Sequence, residues 1–219
     1  FEYHLYTLPE RTTLADKETK QINRVSVAGV PVEKLFLFDP MRQQWWRSFT
    51  GGLYDYYSSM QPGRGRGTMP NQKVSVMFEI ANTVKNNLGF ALPRGKAKVY
   101  KADASGALQF VGEDWTDHAA PNEKLRLYVG DAFDLVGTRK WTDYQVNPNG
   151  FTGSAEIALR NHKEEPVTIR VVEHLVGEWV ILEKSHEYEK KDAWTIEFPV
   201  SVPPGEEVKI TYRVRVDFR

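Results

Sequence analysis

Apolar and polar residues alternate in short runs along most of the chain. The runs are KQINRVSV (20–27), EKLFLFD (33–39), KVSVMFEIAN (73–82), KAKVYKA (96–102), LQFVGEDW (108–115), EKLRLYVG (123–130), SAEIALRN (154–161), PVTIRVVEHL (166–175), WVILEKS (179–185), AWTIEFPV (193–200) and EVKITYRVRV (207–216). Each is four to ten residues long, and most are bounded by Gly, Pro, Asn or Asp, which predicts strands with one buried and one wet face. In the last run Val208, Ile210, Tyr212, Val214 and Val216 point one way, while Lys209, Thr211, Arg213 and Arg215 point the other. Many short strands at regular spacing predict an all-β chain of two tandem antiparallel β-sandwiches with an immunoglobulin-like plan.

An internal echo suggests the same division. HAAPNEKLRLYVG (118–130) and VSVPPGEEVKITYRV (200–214) share a proline-bearing turn, a glutamate and then an alternating strand, and LADKETKQINRV (14–25) is a fainter copy. VSVMFEIANT and AEIALRNHK each run from a strand into Asn just before a turn. Each echo predicts the strand that returns the chain across a sheet. The boundary falls near Gly137–Asp143, with an N-terminal sandwich over 1–139 and a C-terminal one over 140–219.

The segment 39–73 differs in character and reads as a long aromatic insertion in the first sandwich. Trp45, Trp46, Phe49, Tyr54, Tyr56 and Tyr57 are its candidate binding residues, since Trp and Tyr combine large apolar area with a polar handle. Steps of three and four residues there fit a helical turn or two, and QPGRGRGTMPN is a polar tip.

Lys and Arg number 29, as do Asp and Glu, so no net field draws the chain to nucleic acid, and two arginines in GRGRG do not make a patch. With no cysteine there is no disulfide, thiolate ligand or cysteine nucleophile. No apolar run reaches the roughly 20 residues that span a bilayer, so this segment predicts no membrane insertion. The chain opens at Phe1 directly in a strand pattern and reads as part of a longer protein.

The densest candidate chemistry is RNHKEEPVTIRVVEH (160–174), with His162, Glu164, Glu165, Glu173 and His174. Strand geometry puts Ile157, Leu159 and Asn161 on one face, and Ile169, Val171 and Glu173 on one face opposite Arg170, Val172 and His174. Whether the two strands form a hairpin or cross between sheets, the imidazoles lie too far apart for the ~2 Å bonds zinc requires. Glu173 is expected to point inward and bond loop N–H groups, and the other histidines to stand alone. No metal site, cofactor or catalytic residue is predicted. Neighbours such as Glu173 and His174 face opposite ways and form no acid–base pair.

Four stretches, LGFALPRGKAKVY (88–100), GDAFDLVG (130–137), RNHKEEPVT (160–168) and VPPGEE (202–207), resemble in order the bacterial domain-of-unknown-function family 4139, found in the C-terminal part of mucoidy inhibitor A-like proteins. YTLPERTTLADKETKQI and GVPVEKLFLFD near the start also fit, while 39–73 is longer and more aromatic than the family pattern. The resemblance implies an extracytoplasmic protein, in the periplasm or on the cell surface, and brings no catalytic residues. The expected function is a non-catalytic module that contacts a protein or an envelope glycan. One alternative is a hydrolase of envelope polymers whose carboxylates, such as Asp114, Asp117 and Glu173, converge only in the fold; the other is a structural spacer or self-assembly domain.

Overall fold

The computed structural model describes residues 11–23, 25–42, 69 and 71–218. The chain is all-β, with a large mixed sheet and a small one. Its strands are β1 (Glu33–Phe38), β2 (Lys73–Ala81), β3 (Gly95–Ala102), β4 (Leu108–Thr116), β5 (Lys124–Asn147), β6 (Gly150–Asn161), β7 (Val167–His174), β8 (Glu178–Lys184), β9 (Glu189–Lys190), β10 (Thr195–Val202) and β11 (Glu207–Asp217). Ten of the eleven predicted runs lie in these strands. The exception is KQINRVSV, whose described residues join no ladder although Val25 and Val27 share a strand face. Alternation selects which face a strand buries but does not supply the neighbour that completes its hydrogen bonds.

Two compact units form, Phe1–Glu33 with Phe78–Leu127 and Lys34–Met77 with Tyr128–Arg219. This division differs from the one expected at residue 139, because β5 runs unbroken through that point. Its inward alternation continues through Leu135, Gly137, Arg139 and Trp141, so no turn interrupts it. Glycines there punctuate packing instead of the chain path. A Cβ on Gly137 would lie 2.5 Å from the ring of Phe38, so the missing side chain makes room for that core phenylalanine.

The second unit holds most of a nine-stranded sheet in the order β8-β11-β6-β5-β2-β1-β7-β10-β9. β7 pairs parallel with β1 and antiparallel with β10, whereas β6 pairs with β5 and β11. β6 and β7 therefore do not form a hairpin; the chain crosses between distant parts of the sheet. The sheet curls back on itself, since the rings of Phe198 on β10 and Tyr212 on β11 stack at 5.8 Å although five strands lie between them in the order. Phe38, Ile157, Leu159, Ile169, Val171 and Ile210 line the apolar interior so enclosed. Each edge is protected differently. On β8, Leu182 is an extra residue between the pairs Ile181–Val214 and Glu183–Arg213, a bulge, and β9 is only Glu189–Lys190. Bulges and short charged strands both discourage pairing with another chain.

In the first unit β3 and β4 form a separate two-stranded sheet. The buried apolar side chains of this unit, among the described residues, are Ala119 and Leu127. Beside them an apolar groove of about 470 Å³ is lined by Val25, Val27, Val32, Ile80, Phe90 and Leu125, among others.

The two sequence echoes correspond to one repeated device. Buried Asn82 directly follows β2 and donates from Nδ2 to the carbonyls of Phe90 and Ala120, both at 2.8 Å, while its Oδ1 accepts the Gly89 amide at 2.9 Å. Buried Asn161 ends β6 and donates to Glu165, Val202 and Pro203 carbonyls at 2.8, 3.1 and 3.2 Å, while its Oδ1 accepts the Lys163 amide at 2.9 Å. Each asparagine's own N–H reaches a glutamate carbonyl, Glu123 at 2.8 Å and Glu206 at 3.1 Å, just before the returning strand. A strand ending in Asn is thus clamped to the proline turn that opens its antiparallel partner. Asn suits this place because it carries donor and acceptor together and can satisfy several buried carbonyls at once.

Candidate functional site

Among the described residues, a contiguous exposed apolar stripe lies on the β3–β4 hairpin. Lys96 pairs with Trp115, Lys98 with Glu113, Tyr100 with Phe110 and Ala102 with Leu108, so these eight side chains share one face. Trp115 is 67% exposed, Phe110 56%, Tyr100 49% and Leu108 69%. From Tyr100 to Val111 every residue is exposed, so this half of the hairpin is an arm with neither face packed. Exposed aromatics in one contiguous stripe are unusual on a monomer and mark interaction surfaces. Val111 is an extra residue between the Tyr100–Phe110 and Val99–Gly112 pairs, and this bulge turns the arm relative to its base.

Local contacts hold the stripe in place. The Tyr100 and Phe110 rings meet edge to face at 5.6 Å, Lys96 Nζ lies 5.7 Å from the centre of the Trp115 ring, and Lys96 also bonds Glu113 at 2.8 Å. At the tip the Asp103 carboxylate accepts the Ser105 and Ala107 amides, the Ser105 hydroxyl and the Gln109 side-chain amide at 2.6–3.0 Å. The Ser105 and Gln109 side-chain bonds, with the backbone amides, lower its carboxyl to about 2. Because its folded value is depressed, the turn gains from ionised Asp103 above the ordinary carboxylate range near 3.9 and loses that gain as pH falls toward about 2. Asp103→Ala should therefore lower the protection factors of the Ser105 and Ala107 amides at pH 6, and acidification of the wild type to about pH 2 should lower them in the same way once intrinsic exchange rates are divided out. Unchanged protection in the variant would show that the turn does not depend on this side chain.

The tip is otherwise free to stack on a planar or apolar partner, because aromatic faces with a neighbouring lysine and carboxylate combine apolar area with directional bonds. The expected binding residues Trp45, Trp46, Phe49, Tyr54, Tyr56 and Tyr57 lie outside the described residues, as does the helical turn read there. The arm was legible as two strands, but its exposure was not, since alternation marks which side chains share a face and leaves open whether anything covers that face.

The 160–174 segment turns out differently from expectation at two positions. Glu173 points inward as read, but its partners are side chains: Arg139 Nε at 3.1 and 3.2 Å from the two carboxylate oxygens, Arg139 Nη2 at 3.1 Å and the Tyr212 hydroxyl. Arg139 Nη2 also donates to the Tyr212 oxygen at 3.0 Å, and its guanidinium lies 4.1 Å from the Trp141 ring centre. His174 is buried instead of lying on an outer face, with Nε2 3.1 Å from Asp39 Oδ2. Asp39 directly follows β1 and is 135 residues away, which is why strand spacing around His174 could not reveal it. His162 is exposed. Nor do two other histidines stand alone: His118 Nδ1 accepts the Arg94 amide at 3.2 Å, and His186 Nδ1 lies 2.9 Å from the Ser185 hydroxyl. Among the described residues no group of three or more His, Asp or Glu is arranged to hold a metal ion.

The Arg139–Glu173–Tyr212 network is buried, and both oxygens of its carboxylate accept hydrogen bonds. Burial opposes the Arg139 charge, but the Glu173 carboxylate and Tyr212 more than offset it and hold the guanidinium above its usual range. Burial raises the Tyr212 phenol well above its ordinary value; Arg139 acts against this rise and the Glu173 carboxylate adds to it. A raised folded value means that the tyrosine stabilises the fold below the unfolded value near 10, and that this stability is lost as pH climbs above it. Urea titrations from pH 9 to 11.5 should show stability falling with a slope that Tyr212→Phe reduces by about one proton. An identical slope in the variant would place the alkaline transition elsewhere.

This network sits inside the apolar core and presents no reactive atom to a substrate. Asp117, by contrast, is almost fully exposed beside Arg94, and Asp114 belongs to the base of the hairpin. Among the described residues, these placements leave the arm as a contiguous aromatic surface open to solvent. A scan against protein-family models finds no match to the chain, and no curated protein sequence matches it.

Proposed function

We propose that the chain is a non-catalytic β-module that contacts an envelope protein or glycan through the face of the β3–β4 arm. The carrying observation is the exposed stripe of Trp115, Phe110, Tyr100 and Leu108. An aqueous surface that displays such area gains most by covering it, and aromatic residues supply much of the energy where partners meet. The sealed Glu173 carboxylate weighs against a hydrolase that would use it.

Family 4139 membership is part of the same reading, and with it placement in the periplasm or on the cell surface. So is an immunoglobulin-like plan. The second unit's curled sheet serves as one sandwich, and the first unit follows the same scheme of strand, Asn clamp, proline turn and returning strand with fewer buried apolar residues. The insertion residues Trp45, Trp46, Phe49, Tyr54, Tyr56 and Tyr57 would then add to the contact made by the arm.

Titration of the purified chain against cell-wall glycans and envelope extracts is the test. The wild type should retain a component, and Tyr100→Ser with Phe110→Ser should weaken retention about tenfold or more, the effect of losing one well-packed anchor. A third chain lacking 41–70 measures the share of the insertion. Equal retention by the wild type and the arm variant removes the arm from the function, and no retention by the wild type removes the function itself.

A further inference from the structure

We propose that the edges of the β3–β4 arm join copies of this chain head to tail, with β3 of one copy pairing antiparallel with β4 of the next. This rests on the reading of the arm as the binding surface and names a second copy as one of its partners. β3 and β4 form a two-stranded sheet of their own, and the arm's residues from Tyr100 to Val111 are all exposed.

Charge selects which edges can meet. Residues 94–102 carry Arg94, Lys96, Lys98 and Lys101 and no acid, whereas 108–117 carry Glu113, Asp114 and Asp117 and no base. Pairing β3 with β3, or β4 with β4, sets like charges together; pairing β3 with β4 sets opposite charges together. Edge lysines commonly block strand addition, and here they block every partner except an acidic edge.

Side-chain pairing repeats what the hairpin already does within itself. In the hairpin's own register, Lys96 of one copy falls opposite Trp115 of the next, Lys98 opposite Glu113 and Tyr100 opposite Phe110. The first and last of these are the cation–aromatic and edge-to-face contacts seen inside the hairpin, and Glu113, which there bonds Lys96, again faces basic residues. The aromatic stripes of successive copies would then run on as one surface. Because the two edges differ, the contact is heterologous, and growth does not stop at a dimer unless the rotation closes a ring.

The experiment is sedimentation of four chains over a wide concentration range at low salt. Wild type should form species larger than a dimer, and raising salt should shift assembly to higher concentration, as screening shortens charge interactions. Variant A, Lys96→Glu with Lys98→Glu, puts acids at the paired centre of both edges; variant B, Glu113→Lys with Asp117→Lys, leaves both edges net basic. Each alone should need about tenfold higher concentration to assemble, and an equimolar mixture of A and B should recover assembly. A chain carrying all four changes restores opposite charges at positions 98 and 113 of its own hairpin but loses the Lys96–Trp115 contact and the Arg94–Asp117 pair, so a cooperative melt by circular dichroism must confirm its fold before it is compared. It should assemble with itself and stay separate from the wild type.

A wild type that is monomeric throughout overturns the proposal, as does a dimer that ignores charge reversal, or free co-assembly of wild type with the four-change chain. Monomeric wild type with arm-dependent retention of envelope material would leave the proposed function standing alone. Charge-selected assembly without any such retention would leave only the self-association.

Discussion

Replacing Arg139 with methionine should lower the melting temperature by about 6–20 °C. Removing one partner of a buried ion pair destabilises by roughly 3–5 kcal/mol, and each kcal/mol shifts the midpoint by about 2–4 °C in a chain of this size. The reason is the Glu173 carboxylate, which would remain at 1% exposure with only the Tyr212 hydroxyl to bond it. Desolvation of the carboxylate, once offset by three contacts from the guanidinium, would then oppose folding. Methionine preserves much of the packing against Trp141, so the loss reports on charge more than on volume.

The companion variant Arg139→Met with Glu173→Leu separates the pair's net value from the damage of breaking it. Apolar replacements of a whole buried pair are often neutral or stabilising, so the double variant should recover most of the stability lost in the single one. Calorimetry on the three chains decides the matter. A single variant within about 1 kcal/mol of wild type would mean that water reaches Glu173, contrary to its burial.

Asn161→Ala should cost about 2–4 kcal/mol, because the carbonyls of Glu165, Val202 and Pro203 and the Lys163 amide lose a buried partner together. Asn82→Ala removes nearly the same set of bonds in the first unit, yet its consequence should be local. That unit buries few apolar side chains, so the expected outcome is faster amide exchange across β3, β4 and the 119–123 turn, with β6, β7, β10 and β11 still protected. Hydrogen exchange resolved by residue is the measurement. Simultaneous loss of protection in both units would show that they unfold as one, and no change in either would show that the clamp is dispensable.

How much of this could be read along the chain depends on the distance over which each feature acts. Strands β1 to β4, β6 to β8, β10 and β11 follow from alternation within a few residues, since a two-residue period decides which side chains share a face. The echo of Asn followed later by a proline turn was visible at 82 and 161, and its meaning emerged only when the amide groups were found on the carbonyls of those turns. Arg139 escaped notice because a charge in an alternating strand looks like an outward residue. Its inward position depends on Glu173, 34 residues later, and Tyr212, 73 residues later.

The chain by itself determined the all-β class, the inward and outward positions of most strands, the proline turns and the absence of cysteine chemistry, because these depend on local sterics and residue type. Tertiary structure alone decided the order of nine strands in one curled sheet, the path of β5 through the expected boundary, the Asp39–His174 contact and the exposure of the β3–β4 arm. Each of these depends on which distant segment comes to lie alongside. Loop closure and the competition among many similar amphipathic strands decide that, and no short stretch of residues carries the outcome.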